Sequence, residues 1–414
     1  MVKTNRLISN TNYINLVIAD FISSLGDWMV IPIIGSLFFY DIGLSSQMLA
    51  IVEIIIAAPS VFFGSIIGVS VDNKNPIPIL IYSDISRAVL SIILYFLAYH
   101  YEIVLLLLFL EGICRCFFLP SRQIALKVLV LNDLLPKASG FLHTSSQLAK
   151  IIGPAFGGLL ILYCNIKFLF IINALTFLAS ACFIKAISLP MKITETKLSN
   201  NKMSKLTFIY KKLINVASTI KNNKLLRIVI INSALRFAII FIFDLYIIVF
   251  NKFMNFSASI YAIAISAIGM GSVVGAVVIT TYITCFRYIL LISAGQTLGG
   301  LLLFLLGSLA FYHINLSVYF YVLIWFLFGI TGALINVPYA SLLQTEVDQS
   351  IIGSVSAFSE SIQNFFMIIS PLVGALLISF ITIDIMFLLV GLLLVLLGLS
   401  LIIKNQRLLL SNFF

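Results

Sequence analysis

Charge is scarce in this chain. It has 15 acidic and 25 basic residues among 414, 10% in all, where soluble domains carry roughly 25%. A length that would allow two or three water-exposed domains therefore lacks the polar surface to cover them. Histidine is rarer still, with three residues, and cysteine numbers five. Cys114, Cys116, Cys164, Cys182 and Cys285 lie in or beside apolar runs without metal-ligand spacing. Cys114 and Cys116 do not share a helix face, so these thiols read as small packed groups. His100 and His313 fall in loops and His143 stands alone. There is no His-Glu-x-x-His, no Ser/His pair at helix spacing and no Cys/His cluster, so no catalytic residue, cofactor or metal is expected. The alternation over ~10 residues that marks a membrane barrel is also missing.

Apolar sequence is what the chain has in abundance: 61% hydrophobic residues and a mean hydropathy of +1.16. Runs of about 20 residues, enough to cross a bilayer core, recur from end to end. They predict an all-α membrane protein with twelve transmembrane helices, near residues 13–39, 47–70, 78–99, 103–121, 138–162, 168–187, 226–250, 257–282, 288–311, 317–340, 354–380 and 383–403. The first run is too long for a signal-peptide core of 7–15 residues and reads as a retained helix.

The predicted organisation is an N-terminal six-helix bundle (1–187), a basic linker (188–224) and a C-terminal six-helix bundle (225–414). In the linker, Leu206, Ile209, Tyr210, Leu213, Ile214, Ala217 and Ile220 keep helical spacing among eight lysines, which predicts an amphipathic helix against anionic lipid headgroups; a solvated tether is the alternative. The formal charge of +10 does not point to nucleic acid. Lys3, Arg6, Lys74, Arg122, Lys127, Lys137, the linker lysines, Arg287, Lys404 and Arg407 fall on one side of the twelve-helix topology, and essentially Lys167 and Lys252 on the other. Positive loops stay inside, so both termini are expected in the cytoplasm.

The halves echo each other. With Pro154 laid on Pro371, a shift of 217, the pairs Ser139/Ser356, Phe141/Phe358, Gly157/Gly374, Leu159/Leu376 and Leu160/Leu377 coincide. A second echo sets GSIIG at Gly64–Gly68 on GSVVG at Gly271–Gly275. Internal repeats are how many transporters build a central site open to two sides.

Ionisable residues at bilayer depth are costly and usually face a partner or a wet cavity. Asp20 and Asp27 lie seven apart on nearly one face of helix 1. Glu111 and Arg115 form an i, i+4 pair on helix 4. Lys150 lies roughly 18 Å along helix 5, and Arg236 and Asp244 are on helix 7. One reading makes these a polar path for substrate and proton; the other makes them fixed pairs that set helix packing. Asp27 has no basic neighbour on its own helix, which favours a functional role. Asp20, nearer the helix start, is expected to be hydrated. Gly153, Pro154, Gly157 and Gly158 place small residues at spacing four, allowing two helices to approach closely.

Several of these segments resemble the major facilitator superfamily, in the form of its macrolide-efflux-like drug exporters. They are Phe21–Trp28 (FISSLGDW), Gly68–Asp72 followed by Asp84-Ile-Ser-Arg87-Ala88, Pro120-Ser-Arg122-Gln123 taken as the end of helix 4, and Ala149–Gly158 (AKIIGPAFGG). The last is similar to the antiporter motif of drug:proton exchangers. The resemblance implies two pseudo-symmetric six-helix bundles, with helices 1, 4, 7 and 10 around a cavity to which Asn336 and Tyr339 add polar groups. It also implies a cytoplasmic gate built from Gly68, Asp72, Lys74, Asp84, Arg87 and Arg122. Only Lys74 is basic after Asp72, where the family pattern has more, and no aspartate follows Gly275 in the second half.

The expected function is proton-coupled export of amphipathic or hydrophobic small molecules by alternating access. The expected partners are a small-molecule substrate, protons and lipid bilayer, without nucleic acid, in a monomer of the bacterial inner membrane. Uptake of a metabolite or transport of a lysophospholipid stays open, as does a non-transporting receptor or scaffold.

Overall fold

The computed structural model describes residues 7–71, 74–131, 134–188, 220, 222–282, 288–347 and 352–411. Helix, with no strand among the described residues, accounts for its regular structure. The helices are α1 (Thr11–Ser36), α2 (Ser46–Val71), α3 (Pro76–Leu97), α4 (Tyr101–Leu129), α5 (Leu135–Tyr163) and α6 (Ile166–Lys185), then α7 (Lys224–Phe243), α8 (Ala258–Tyr282), α9 (Tyr288–Phe311), α10 (Val318–Glu346), α11 (Ile352–Phe380) and α12 (Ile383–Ser411). Eleven described segments are long and apolar enough to cross a membrane, and α2 adds a shorter apolar stretch, Met48–Gly64. Twelve spans are thus consistent with the hydropathy pattern.

Local chemistry sets many of the starts. Asn10, Asn75, Asn165 and Asn223 each accept a hydrogen bond from the backbone N–H two or three residues on, and Ser317 does the same for Phe320. Such caps satisfy donors that the first helical turn leaves unpaired. The interiors hold two departures from the expected pattern. Pro120 does not end α4, which continues to Leu129; one lost backbone donor does not stop a helix whose neighbours still pack. The seventh span is not one regular helix: after Phe243 it passes through a 3-10 turn at Asp244–Tyr246 into a short helical extension, Ile247–Phe253.

Contacts divide the chain into two units, residues 1–44 with 51–201 and residues 45–50 with 202–414. In the first, α1 packs on α5 and α6, and α3 on α4 and α6. In the second, α7 packs on α11 and α12, and α9 on α10 and α12. The second unit also packs α8 on α10; that pair aside, adding six to each helix number turns one list into the other, which is the repeat expressed in packing. Gly157 and Gly374, paired by the sequence echo, occupy matching positions. A Cβ on Gly157 would strike the Met29 carbonyl of α1, and one on Gly374 the Ile242 carbonyl of α7. The second echo does not carry through: Gly271 is pressed on the Phe326 carbonyl of α10, whereas no atom of the described residues lies within 4 Å of a Cβ on Gly64.

Much of the exterior is apolar. Phe62, Phe96, Leu106, Leu175, Val277, Leu298 and Leu396 are among many large hydrophobic side chains left exposed. Water would not tolerate such a surface on a soluble chain; hydrocarbon does. The protein is a multi-pass membrane protein.

The linker helix read at 206–220 lies outside the described residues except for Ile220, as do Lys3, Arg6, Asp72, Cys285 and Arg287. The side chains of Lys137, His143, Lys404 and Arg407 lie outside them too.

Candidate functional site

Helix α1 carries two acidic stations about 10 Å apart, seven residues at 1.5 Å each. Each recruits cations from other helices. At the first, Asp20 is 1% exposed and takes Arg122 Nη1 of α4 at 2.5 Å and the Ser146 hydroxyl of α5 at 2.6 Å. Arg122 also reaches Ser146 at 3.2 Å. The three groups close a triangle across α1, α4 and α5. Asp20 is therefore not the hydrated surface acid expected from its place near the helix start; burial among three helices demands the pair.

The second station is larger. Arg87 of α3 is 1% exposed, and its Nη1 donates to both oxygens of Asp27, at 3.1 and 3.2 Å. Its Nη2 donates to Ser23 at 2.7 Å and to Asp84 one turn back on α3. The faces of Phe118 and Phe177 lie 4.9 and 4.3 Å from the guanidinium carbon. Two carboxylates, a hydroxyl and two rings together supply what water would give a buried guanidinium. Arg115 of α4 approaches the far side of Asp27, with Nε 3.6 Å from Oδ2. That is an ion-pair distance beyond good hydrogen-bonding range.

These contacts regroup the sequence-derived candidates. Glu111 and Arg115 do not meet, although helix spacing allows it. Glu111 instead accepts from the Ser91 hydroxyl at 2.7 Å, and Ser91 accepts from Asn173 Nδ2 at 3.0 Å, a chain from α6 through α3 to α4. Arg115 turns to Asp27 because a tertiary carboxylate already fixed by Arg87 competes with the local one. Asp84 and Arg87, assigned to a loop-side gate, lie eight and eleven residues into α3 and join Asp27. Arg122, from the same group, belongs to Asp20. Lys74 is exposed in the turn before α3, Gly68 sits in α2, and Asp72 lies outside the described residues. Lys150 Nζ lies 4.7 Å from the centre of the Trp28 ring. Gly153 of the Gly153–Gly158 segment fits under α1, where a Cβ would come 2.7 Å from Trp28 Cβ; Pro154 stays within α5 and Gly158 is buried.

In the second unit, Arg236 of α7 is 6% exposed. It donates from Nη2 to Asn336 Oδ1 of α10 at 3.2 Å and lies 4.4 Å from the Phe237 ring. Tyr339, one turn along α10, meets the Ser359 hydroxyl of α11 at 2.5 Å. Asp244 is exposed at the 3-10 turn and does not reach this group, lying eight residues, about 12 Å, farther along.

Ser23, Ser91, Ser146, Asn173, Phe118 and Phe177 were not singled out from sequence. A signal existed for two: Ser23 precedes Asp27 by one turn, and Ser91 follows Arg87 by one turn. Among the described residues no group of three or more His, Cys, Asp or Glu side chains is arranged to hold a metal. A shallow groove of about 400 Å³ between α3 and α4 is lined by Ile85, Ser86, Val89, Leu90, Leu110, Ile113 and Cys114. Its lining is almost wholly apolar, and it belongs to the exterior rather than to either station.

Known proteins with similar sequences and folds are transporters. The family model described as Major Facilitator Superfamily matches residues 16–365. An uncharacterized MFS-type transporter of Bacillus subtilis (strain 168), YfiS, is 26% identical over 382 residues, covering 89% of this chain and 87% of its own. Macrolide efflux protein A of Streptococcus pyogenes is 21% identical over 337 residues, covering 80% and 81%. Among solved structures, the nucleoside transporter NupG matches with a TM-score of 0.64 at 14% identity, over 94% of this chain and 98% of that one; it supports the fold.

Proposed function

The chain belongs to the Major Facilitator Superfamily, and from that premise we propose that it exports amphipathic small molecules in exchange for protons, with Asp27 as the coupling group. Transport itself follows from the family, which places the protein among transporters rather than enzymes. The cargo class rests on the similarity to macrolide efflux protein A. The direction, export, rests on that same similarity, and the placement of both termini inside a bacterial inner membrane rests on the distribution of lysine and arginine.

The observation that carries the coupling role is the unequal grip on Asp27. Arg87 holds it from the buried side at 3.1 Å. Arg115 holds it from the open side at 3.6 Å, with 41% of the Arg115 side chain exposed. The Asp27 side chain is itself 17% exposed, whereas that of Asp84 is at 0%. A proton reaching Asp27 removes its charge. Arg87 then keeps Asp84, Ser23 and its two aromatic faces, but Arg115 loses its carboxylate. Neutralising one acid therefore frees one mobile cation while leaving the buried anchor in place. A free guanidinium on α4 and a carboxylate that alternates between proton and salt bridge give two states with different contacts, which alternating access requires. The Asp20–Arg122–Ser146 triangle holds α1, α4 and α5 together throughout.

In proteoliposomes with an imposed proton gradient, wild type should move a hydrophobic dye or macrolide and Asp27→Asn should not. Equal movement by both removes Asp27 from coupling.

A further inference from the structure

Three arginines of the first unit's helices, Arg87, Arg115 and Arg122, each lie within ion-pair distance of a carboxylate. Arg236 does not. It is buried, at 6% exposure. Yet among the described residues its hydrogen bond goes to a neutral amide oxygen, Asn336 Oδ1, at 3.2 Å. Its Nε is buried with no hydrogen-bond partner among the described residues, and Phe237 covers one face at 4.4 Å. A guanidinium offers five N–H donors and cannot shed its charge in a protein. Among the described residues no carboxylate pairs with it.

A buried cation without a counterion is unfavourable unless something else supplies the negative charge. Asn336, its hydrogen-bond partner among the described residues, is exposed, which puts an accessible edge beside the guanidinium. Tyr339, one turn along α10 from Asn336, carries a hydroxyl bonded to Ser359 of α11, and Phe237 and Phe241 stack at 5.7 Å to give an apolar wall.

We infer that Arg236 is a recognition site for the anionic group, carboxylate or phosphate, of an amphipathic substrate, with Asn336 orienting the guanidinium and Phe237 and Phe241 meeting the apolar body. That the ligand is cargo rests on the transporter reading above. The fork geometry of arginine suits both oxyanions, whose paired oxygens accept parallel N–H bonds. Such a site reads a negative head on an oily body.

The test is equilibrium binding of 2-naphthoate and of 2-naphthylmethylammonium, matched in ring and opposite in charge, to the full-length protein in phosphatidylcholine nanodiscs. No gradient or turnover is involved, so the result stands apart from whether proton-coupled export holds. Wild type should bind naphthoate at least tenfold more tightly than the ammonium, and Arg236→Gln should erase that preference. Equal affinities, or a preference untouched by Arg236→Gln, would overturn the assignment. Should Arg236→Gln not fold, Asn336→Asp decides. It puts a carboxylate on Arg236 and should raise thermal stability while abolishing naphthoate binding; retained binding would contradict the proposal. A second arm repeats the measurement with phosphatidylglycerol in the disc. Naphthoate affinity should hold, and its collapse would show a lipid headgroup in the site instead of a solute.

Discussion

The residues that matter most here do so through partners on other helices. Arg87 shows what a buried cation needs: Asp27, Asp84, Ser23 and two aromatic rings. Removing it leaves Asp84 at 0% exposure with its counterion gone. Arg87→Gln should then cost about 3–5 kcal/mol, the usual penalty for halving a buried pair, read as loss of folded protein in a detergent melting assay. Arg115→Gln removes a longer, half-exposed contact and should leave that melt within about 1 kcal/mol while lowering gradient-driven transport. If the two variants melt alike, the unequal grip on Asp27 is wrong. The identity of the charged residues was legible from sequence because so few occur in apolar runs. Their partners were not. Helix spacing reveals only neighbours on one helix, and so offers Glu111 to Arg115. The choice between Glu111 and Asp27 depends on where α1 and α4 cross, and no local pattern encodes that.

Helices were the most legible level. A bilayer-spanning run must be both long and apolar, so the constraint is written directly into composition, and the spans follow the hydropathy runs. The breaks inside them were hidden. Hydropathy registers side chains and not backbone hydrogen bonds, so nothing marked the 3-10 turn at Asp244–Tyr246 or the passage of α4 through Pro120. Glycines are informative at this scale because they set how closely helices pass. Gly157 lets α5 rest on the α1 backbone, and Gly374 lets α11 rest on α7. Gly157→Val and Gly374→Val should each destabilise by about 1–3 kcal/mol, as overpacking does. Gly64→Ala, with open space around the new methyl, should be neutral or stabilise by about 0.5–1 kcal/mol through lower backbone entropy. All three can be ranked in one thermal series; a Gly64→Ala loss as large as that of Gly157→Val would refute the packing account.

At the scale of the molecule, the same helix pairings recur in both units, but the chemistry within them does not. In the first unit, carboxylates and guanidiniums from α1, α3 and α4 are knotted together; in the second, Arg236 has an amide for company. A common scaffold with unlike interiors suits a division of labour, with proton handling in one half and ligand charge in the other. The echo at Pro154 and Pro371 foreshadowed the scaffold. It could not foreshadow the asymmetry, since the residues that differ are those the repeat no longer shares. Orientation is open to a simple check. A fluorescent protein that folds only in the cytoplasm should light up when fused after Phe414, and a phosphatase active only outside should stay silent there; the reverse pattern would invert the topology.

The central claim is that Asp27 gives up its salt bridge with Arg115 when it takes a proton. Its most direct test is proton flux, followed with a pH-sensitive dye trapped inside proteoliposomes while a transported macrolide or dye is added. Wild type should move protons when substrate is present, and Asp27→Asn should move none while still exchanging labelled for unlabelled substrate at equal concentrations. Proton movement of wild-type size in Asp27→Asn would contradict the account.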